Sequence, residues 1–427
     1  MRLAVDMLVS RGATAWSRNF IITFNHGNSI IKQGMGLGKT VGLLLFLVLL
    51  VSSGIISFKH ALAEEDLWTS LAPIPTVRRG LGVAVVEGKI YAIGGFNSTY
   101  LGTNEMYDPA TDTWTTRASM PTPRTEFGIA VYKNKIYCIS GESGYDKEDL
   151  GGVYTDVNEV YDPATDTWEK KAAITTPRYG MCANVVDGKV YIMGGGIHAP
   201  YPINTCSALN EVYDPETDTW TEKNPLPISV LEAASAVVDD RIYVLGGQAG
   251  LFMGGWHDHN MVYDVKNDSW SMAAPIPVGC ERSAAGATTG VYASKRIYVF
   301  GGFTESSYTT RNLTQVYYPE TNVWGSGAEM VTPHADFGVA VVNDELYAIG
   351  GWREGFKPPS VANEKYTPSE YGTPESFTPS PSQPSSLEPT STPDPASPFP
   401  TTLVVSFLVT LAVIGVGLYA YFKKRKR

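Results

Sequence analysis

Tyr91-Ala-Ile-Gly-Gly95 is the stretch that decides the fold, because variants of it recur five more times along the 427-residue chain. In every copy two residues separate a Tyr from a pair of small residues, and a Trp recurs with the same period, at intervals of 46 to 54 residues. A period near 50 residues is typical of four-stranded units stacked around an axis, since one such unit cannot bury both of its faces alone. The later copies begin at Tyr137, Tyr191, Tyr243, Tyr298 and Tyr347, and the tryptophans are Trp68, Trp114, Trp168, Trp220, Trp270 and Trp324.

Each period contains the same four elements. An apolar strand with small residues at alternate positions precedes a turn, the strand that ends in the Gly pair, a strand that ends in Tyr-Asp, and a Trp strand. The last two are joined by a Pro-x-Thr-Asp turn, in which Pro presets φ and Asp tolerates the left-handed conformation. The Gly pair suits a strand end at which packed neighbours leave no room for a Cβ. The sequence therefore predicts an all-β protein.

These motifs resemble the kelch repeat of β-propellers over residues 68–366, with Ser140 replacing a Gly in the second copy and Val230 replacing the Arg with which a repeat usually begins. The sixth copy has no downstream Trp strand, whereas the orphan Trp68 strand precedes the first complete copy. Closure of a ring removes exposed sheet edges. We therefore predict that residues 64–366 form a six-bladed propeller, in which the N-terminal strand completes the last blade.

The residues before the repeats are typical of an export signal. Residues 1–63 are predicted to be an N-terminal extension and a signal peptide, with translation starting at Met35. An apolar run at 41–51 follows Lys39, and a small-x-small pattern indicates cleavage after Ala63.

The residues after the repeats are typical of a tethered protein. Residues 367–402 are rich in Pro, Ser and Thr and are predicted to be an extended stalk. Residues 403–422 form an uncharged run long enough for a transmembrane helix, and residues 423–427 are a basic tail that favours the cytoplasmic side. The sequence thus predicts a single-pass protein of the cell membrane with an extracellular propeller. A sorting-type C-terminus that is cleaved and replaced by a lipid is the alternative.

The negative net charge of residues 64–422 argues against nucleic acids as partners. Residues 64–422 contain 22 Lys and Arg against 42 Asp and Glu, and such a surface repels the phosphates of nucleic acids. The same segment contains three Asn-x-Ser/Thr sites for glycosylation, at Asn97, Asn267 and Asn312.

The loops between the second and third strands of each unit are the longest and least repetitive, and they share a face with the connections between units. Binding residues usually lie on such loops above a rigid scaffold. Four loop residues are candidates for contact with a ligand: Tyr201, Trp256, Trp352 and Arg353. The rings of the three aromatic residues would equally serve to pack the loops.

Charged residues are also expected near the mouth of the axial channel on this face. Alignment on the repeated Tyr places a basic residue at the start of the innermost strand in five units, with three extra residues allowed in the fifth unit: Arg78, Arg124, Arg178, Arg282 and His334. Two positions further on lie acidic residues, which period-two alternation places on the same side: Glu126, Glu232 and Asp336. Such a ring would bind a carboxylate, a sugar acid or an acidic peptide through Arg forks. The alternative is a structural role, in which each Arg pairs with an adjacent loop.

Two further sites are candidates on the same face. A metal would find imidazole and carboxylate ligands at His198, His257, Asp258 and His259, and no other cofactor is expected. Cys206 and Cys280 are expected to lie near enough for a disulfide in an oxidising exterior.

The function expected from these features is non-catalytic recognition of a protein or a glycan at the cell surface, through the long-loop face. Kelch-like propellers usually act as interaction scaffolds, and fold alone does not assign chemistry. The alternative is an enzyme, since some exported kelch proteins that this chain resembles are six-bladed sugar-acid mutarotases (epimerases). A metal-dependent oxidase of the kelch type would need a seventh blade and a Cys-crosslinked Tyr that the sequence does not contain in recognisable form. No catalytic residue is assigned.

Overall fold

The computed structural model describes residues 2–11, 16–26, 29–36, 66–147, 151–197, 205–249, 257–304, 309–353, 359–369 and 371–372. Strands, turns and bends make up all the regular structure of these ranges, which confirms the all-β prediction. No helix within them has the length and apolar character needed to cross a membrane. Four predicted segments lie outside the described residues: the signal peptide from residue 37 onward, the stalk beyond residue 372, the 403–422 segment and the basic tail.

Six four-stranded antiparallel sheets lie within the described part of the chain. The first sheet consists of Gly82–Val86, Lys89–Ile93, Asn104–Asp108 and Thr113–Arg117. The second consists of Gly128–Tyr132, Lys135–Ile139, Asn158–Asp162 and Thr167–Lys171. The third consists of Cys182–Val186, Lys189–Met193, Asn210–Asp214 and Thr219–Glu222.

The later sheets repeat this order. The fourth consists of Ala234–Val238, Arg241–Leu245, Asn260–Asp264 and Ser269–Met272. The fifth consists of Ala284–Ala287, Ile297–Phe300, Thr314–Tyr318 and Val323–Ser326. The sixth consists of Gly338–Val342, Glu345–Ile349, Asn363–Thr367 and, from the other end of the repeats, Leu67–Ser70. In that sheet Tyr366 lies opposite Trp68.

The sheets pack face to face, and the core lies between them. The second strands are buried on both faces, whereas the fourth strands are mostly exposed. One cluster of buried apolar side chains separates each pair of consecutive sheets, and another, around Ile90 and Tyr347, joins the sixth sheet to the first. Each first strand likewise contacts the first strands of two neighbouring sheets, including the sixth with the first.

Polar bonds repeat with the same period as the apolar core. Each repeat Trp donates its indole N–H to a backbone carbonyl in the connection that leads from the preceding sheet into its own, at 2.8 to 3.0 Å, and Trp68 donates to Ala328 in the same way. In the first sheet the hydroxyl of Tyr107 donates to Asp112 at 2.6 Å. Asp112 has a φ of 53°, so it occupies the left-handed position expected of the Pro-x-Thr-Asp turn. The Tyr107 bond thus holds a turn within one sheet, whereas the indole bonds tie each sheet to the connection from its neighbour.

The Gly pairs end the second strands because the chain turns sharply there against its neighbours. Gly95 has a φ of 103°, and a Cβ on it would lie 2.8 Å from the carbonyl oxygen of Arg79. Ser140 replaces the first Gly of the second pair with a φ of 57°, and its hydroxyl donates to the carbonyl of Thr155 at 2.8 Å. That bond helps to hold a conformation that a β-carbon disfavours.

Short strands extend the long-loop face. Glu142–Asp146 pairs with Gly151–Tyr154, and Phe303–Thr304 pairs with Thr309–Thr310. Three further short strands form one small sheet: Arg178–Tyr179, Gly196–Ile197 and Thr205–Cys206. Within the predicted N-terminal extension and the start of the predicted signal peptide, three strands form another antiparallel sheet: Arg2–Arg11, Trp16–His26 and Ser29–Gly36.

Asp344 holds the hairpin of the fifth sheet in place. Its buried carboxylate accepts hydrogen bonds from the backbone N–H groups of Thr289, Val291, Tyr292 and Ala293 at 2.6 to 3.1 Å. We expect Asp344→Ala to lower the free energy of unfolding by about 2 kcal/mol, because these donors lose their acceptor. Denaturant unfolding measures the change, and Asp240→Ala at the same turn position, where the side chain is exposed, is the matched control.

The effect of Asp344 should depend on pH in a defined direction. Burial alone would raise the pKa of Asp344, but the N–H donors of residues 289, 292 and 293 hold it below the ordinary value of 3.8. A carboxyl whose pKa is depressed in the folded state stabilises the protein above its unfolded pKa and loses this contribution as pH falls through its folded pKa. The stability difference between wild type and Asp344→Ala should therefore be constant near neutral pH and shrink below about pH 3.8. A difference that grows on acidification would contradict this account.

Candidate functional site

Six backbone groups form a closed circuit of hydrogen bonds next to the starts of the first strands. The residue two positions before each first strand donates its N–H to the carbonyl of the corresponding residue in the preceding unit, at 2.8 to 3.0 Å. The circuit is complete, because Gly80 donates to Asp336 at 2.9 Å. We call these positions the axial ring, and its members are Gly80, Glu126, Gly180, Glu232, Arg282 and Asp336.

All six residues of the axial ring have positive φ, between 50° and 61°. Gly adopts this conformation freely, whereas other residues lose roughly 1–2 kcal/mol each in it. Four of the six positions are nevertheless charged residues. Backbone strain of this kind concentrates at functional sites, so the charged members of the axial ring are the first candidates for a binding role.

The four charged side chains of the axial ring bond to one another. The guanidinium of Arg282 donates to Glu126 Oε1 at 2.8 Å, lies 3.1 Å from Asp336 Oδ2, and also contacts Glu232 Oε1. The exposed fractions of the three acidic side chains are 9% for Glu126, 7% for Glu232 and 8% for Asp336. We call Glu126, Glu232 and Asp336 the acidic cluster.

A second guanidinium approaches the acidic cluster from the outside. Arg79 Nη1 donates to Asp336 Oδ2 at 2.9 Å. Its guanidinium carbon also lies 4.8 Å from the ring centroid of Trp352 and 5.3 Å from that of Phe96, within the range of cation–π attraction. Arg79 was not predicted as a site residue. The sequence distinguishes Arg79 in one respect, because the corresponding positions of the other units hold no basic residue.

A cavity of about 160 Å³ is lined by all six axial-ring residues and by the residues that follow them. Its apolar wall includes Leu81, Phe127, Met181 and Phe337. The space is therefore bordered by charge and by apolar rings together, an arrangement typical of sites that fix a small group in one orientation.

Burial changes the acidity of these groups. Removal from water raises the pKa of Glu126 and of Glu232, although the charge of Arg282 opposes this in both cases. Burial would lower the pKa of Arg282, but the acidic cluster raises it well above its ordinary value. Glu281, which precedes Arg282, has its pKa raised by burial to about 7.

The arginines expected at the channel mouth lie elsewhere. Arg78, Arg124 and Arg178 are completely buried within their own sheets. Arg124 donates to Glu159 Oε2 at 2.6 Å and to the carbonyls of Thr122 and Cys138 at 2.9 and 2.7 Å. Arg78 bonds Glu105 and Arg178 bonds Glu211 in the same manner. The carboxylate partners lie on the third strand of the same sheet, whereas the alternative expectation was that each Arg pairs with an adjacent loop.

In the remaining sheets, the positions that correspond to Arg124 and Glu159 hold other pairs of residues. Val230 and Met261 belong to one apolar cluster in the fourth sheet. In the sixth sheet His334 is 1% exposed, and its Nε2 lies 3.7 Å from Glu364 Oε1. In the fifth sheet the position is occupied by Cys280, so the assignment of Arg282 to it was wrong by two residues. Arg282 belongs instead to the axial ring, where it meets the acidic residues as expected of a mouth residue.

The remaining candidates are placed as follows. Trp352 is half-buried, with its ring centroid 5.8 Å from that of Phe303, and Arg353 is exposed.

His257 and His259 stack with their centroids 4.7 Å apart, and burial lowers the pKa of His259. No group of three or more His, Cys, Asp or Glu suited to a metal lies within the described ranges. Tyr201, Trp256 and His198 lie outside those ranges, and Asp258 contributes its carbonyl to a bond from the N–H of Ile276.

The expected disulfide between Cys206 and Cys280 is wrong. All four cysteines are buried thiols, and Cys280 Sγ bonds the Ser283 hydroxyl at 3.3 Å. Of the three glycosylation candidates, Asn267 is exposed and Asn97 is half-buried. Asn312 is half-buried and donates to Glu329 at 2.7 Å. Their modification stays a prediction.

Comparison with known proteins agrees with this architecture. The sequence pattern of the family described as "Attractin/LZTR1 beta-propeller" matches residues 151–368, which is just over half of the chain. The pattern of the Kelch motif matches residues 78–121 and 123–173. Together the two patterns cover most of the repeats.

Individual relatives are more distant. Kelch-like protein 23 of Mus musculus is 26% identical over 186 residues, which is 43% of this chain and 31% of the mouse protein. Kelch-like protein 25 of Xenopus laevis is 31% identical over 205 residues, which is 47% of this chain and 33% of the frog protein. The chain therefore spans about a third of the length of the curated relatives that it matches.

A solved structure shows the same fold. The structure of YjhT superposes with a TM-score of 0.60 at 19% identity, covering 69% of this chain and 96% of the other. With the family matches and the repeated sheets, this confirms the predicted kelch-type propeller fold. The chain belongs to the Attractin/LZTR1 β-propeller family and carries kelch repeats.

Proposed function

We propose that this protein is a non-catalytic recognition module that binds a protein ligand on the long-loop face of a closed, six-bladed propeller. The observation that carries the proposal is the axial ring, where four charged residues adopt a conformation that favours Gly and surround a cavity. Functional groups commonly occupy such strained positions.

Six blades and closure are supported by three independent features. The circuit of backbone hydrogen bonds returns from Asp336 to Gly80. A buried apolar cluster joins the sixth sheet to the first. The strand Leu67–Ser70 pairs with Asn363–Thr367 and completes the sixth sheet. A propeller closed in this manner has no open sheet edge between its ends and presents its loops on a rigid base.

Recognition is favoured over chemistry on a sugar acid. That alternative required arginines available to bind a carboxylate at the mouth. Three of the candidate arginines are buried in ion pairs within their sheets, and Arg282 already contacts three carboxylates. An anionic ligand would have to displace those contacts.

The proposal includes the cell surface as the location, with the propeller outside. The support is in the sequence: a predicted signal peptide ending at Ala63, a predicted stalk, and the apolar segment 403–422 followed by a basic tail. A membrane-impermeant biotinylating reagent applied to intact cells should label the lysines of the repeats. Labelling only after lysis would contradict this location.

Photo-crosslinking tests which face binds. A photoreactive amino acid is placed at Thr99 or Arg353 on the long-loop face, or at Ala110 or Ala164 in turns of the opposite face, all four positions being exposed. In intact host cells, we expect discrete adducts from the long-loop positions and none from the opposite turns. Adducts from the opposite turns alone, or equally from both faces, would refute the assignment of the binding face.

A further inference from the structure

We propose that the axial cavity receives a cationic group of the protein ligand, a guanidinium or ammonium from a basic side chain, and that the acidic cluster binds it. This inference rests on the proposed function and names the chemistry of the partner. The charge proposed for the bound group is the opposite of the one expected from the sequence, where a ring of Arg side chains was expected to bind a carboxylate.

The charges around the cavity are predominantly acidic. Glu126, Glu232 and Asp336 surround it, and two guanidinium groups, those of Arg282 and Arg79, face them. Both guanidinium groups already bond the acidic cluster. The basic groups are thus already engaged by carboxylates, whereas the acidic groups outnumber them.

An unpaired oxygen is the second observation. Glu126 Oε1 accepts a bond from Arg282, whereas Glu126 Oε2 is buried and has no hydrogen-bond partner within the described part of the protein. The side chain is 9% exposed and lines the cavity. Buried carboxylate oxygens are normally hydrogen-bonded, and a charged donor entering the cavity would supply the missing bond.

The size of the cavity suits the head of one side chain. At about 30 Å³ per water, a cavity of about 160 Å³ holds roughly five water-sized groups. A guanidinium or an ammonium with its adjacent methylene groups fits this space, and the apolar wall formed by Phe127, Met181 and Phe337 would contact the methylene groups. A bare metal ion is disfavoured, because no group of metal ligands is assembled among the described residues.

Peptide probes test the charge directly. Pentapeptides Gly-Gly-X-Gly-Gly with blocked ends, in which X is Arg, citrulline or Glu, are titrated into the full-length protein in detergent and followed by calorimetry or ligand-observed NMR. Citrulline matches Arg in shape but lacks its charge. We expect the Arg peptide to bind at least tenfold more tightly than either of the others.

Variants locate the effect. Glu126→Gln should weaken binding of the Arg peptide at least tenfold, and Asp336→Asn, in a second carboxylate that lines the cavity, should weaken it if the first variant does not fold. Glu169→Gln, an exposed carboxylate on an outer strand, is the matched control and should change nothing. Equal affinity for the Arg and citrulline peptides, or unchanged affinity in a folded Glu126→Gln variant, would overturn the inference.

The outcomes separate the two proposals. Adducts from Thr99 and Arg353, together with equal binding of the charged and uncharged peptides, would leave the recognition function in place and remove the cationic ligand. Absence of adducts from the long-loop face would remove the recognition function, whatever the peptides do.

Discussion

Replacing Arg124 with Ala is expected to lower the free energy of unfolding by about 3–5 kcal/mol. Both Arg124 and its partner Glu159 have fully buried side chains, 2.6 Å apart at the nearest atoms. Without the guanidinium, the Glu159 carboxylate is buried without its counter-charge, and the carbonyls of Thr122 and Cys138 each lose a donor. Removing one partner of a buried ion pair is costly for this reason, even where the intact pair adds little net stability.

The chain itself supplies the control for this prediction. In the fourth sheet Val230 and Met261 occupy the positions of Arg124 and Glu159, and both pack in an apolar cluster. The double variant Arg124→Val with Glu159→Met should therefore recover most of the stability, because an apolar pair of similar volume often replaces a buried ion pair without loss.

Urea unfolding of the purified protein measures both variants. Lys189→Ala, which breaks the exposed pair with Asp214, gives the scale of a surface ion pair and should cost less than about 1 kcal/mol. If Arg124→Ala were no more destabilising than Lys189→Ala, the structural role of the buried arginines would be wrong.

The architecture was predictable because its signals are local and repeated. The small-residue pair, the turn Asp and the Trp each satisfy a need of their own immediate neighbourhood, such as the positive φ of Gly95 and Asp112. Six copies make the period unmistakable. The pairing of the Trp68 strand with the sixth sheet followed from counting incomplete units at the two ends.

Side-chain direction at the channel mouth was not predictable from the same rules. Period-two alternation holds only along an extended strand, and it placed Arg124 and Glu126 on one side. Glu126 has a φ of 52°, so the chain turns between them and the two side chains diverge. Arg124 enters its sheet, whereas Glu126 faces the axis.

The error at Arg282 has a different cause. Counting back from Tyr298 allowed three extra residues, but the hairpin between Ala284–Ala287 and Ile297–Phe300 adds five. Cys280 therefore occupies the position assigned to Arg282. The hairpin is held by Asp344 from the next sheet, a long-range contact that no local pattern reveals.

The second large effect is expected from linking the two ends of the repeats. Thr69 lies directly opposite Lys365 in the sixth sheet. Directly opposed residues of antiparallel strands have Cα atoms about 4.5–5.5 Å apart, which suits a disulfide. The bridge in Thr69→Cys with Lys365→Cys would close a loop of about 300 residues and should raise the free energy of unfolding by about 2–4 kcal/mol.

An off-register pair is the control for the engineered bridge. Thr367 lies opposite Leu67, so Thr69→Cys with Thr367→Cys places the two thiols on a diagonal of about 7–8 Å. The native cysteines should not interfere, because they are buried and burial raises the pKa of the Cys138 and Cys182 thiols to about 12.

The measurement that most directly tests ring closure is the yield of this bridge after mild oxidation, read by mass spectrometry of the proteolysed protein. We expect near-complete bridging of residues 69 and 365, slow or absent bridging of 69 and 367, and a higher unfolding midpoint that reverts on reduction. Failure of the 69–365 pair to form, or equal yields for the two pairs, would mean that the first Trp strand does not complete the sixth sheet.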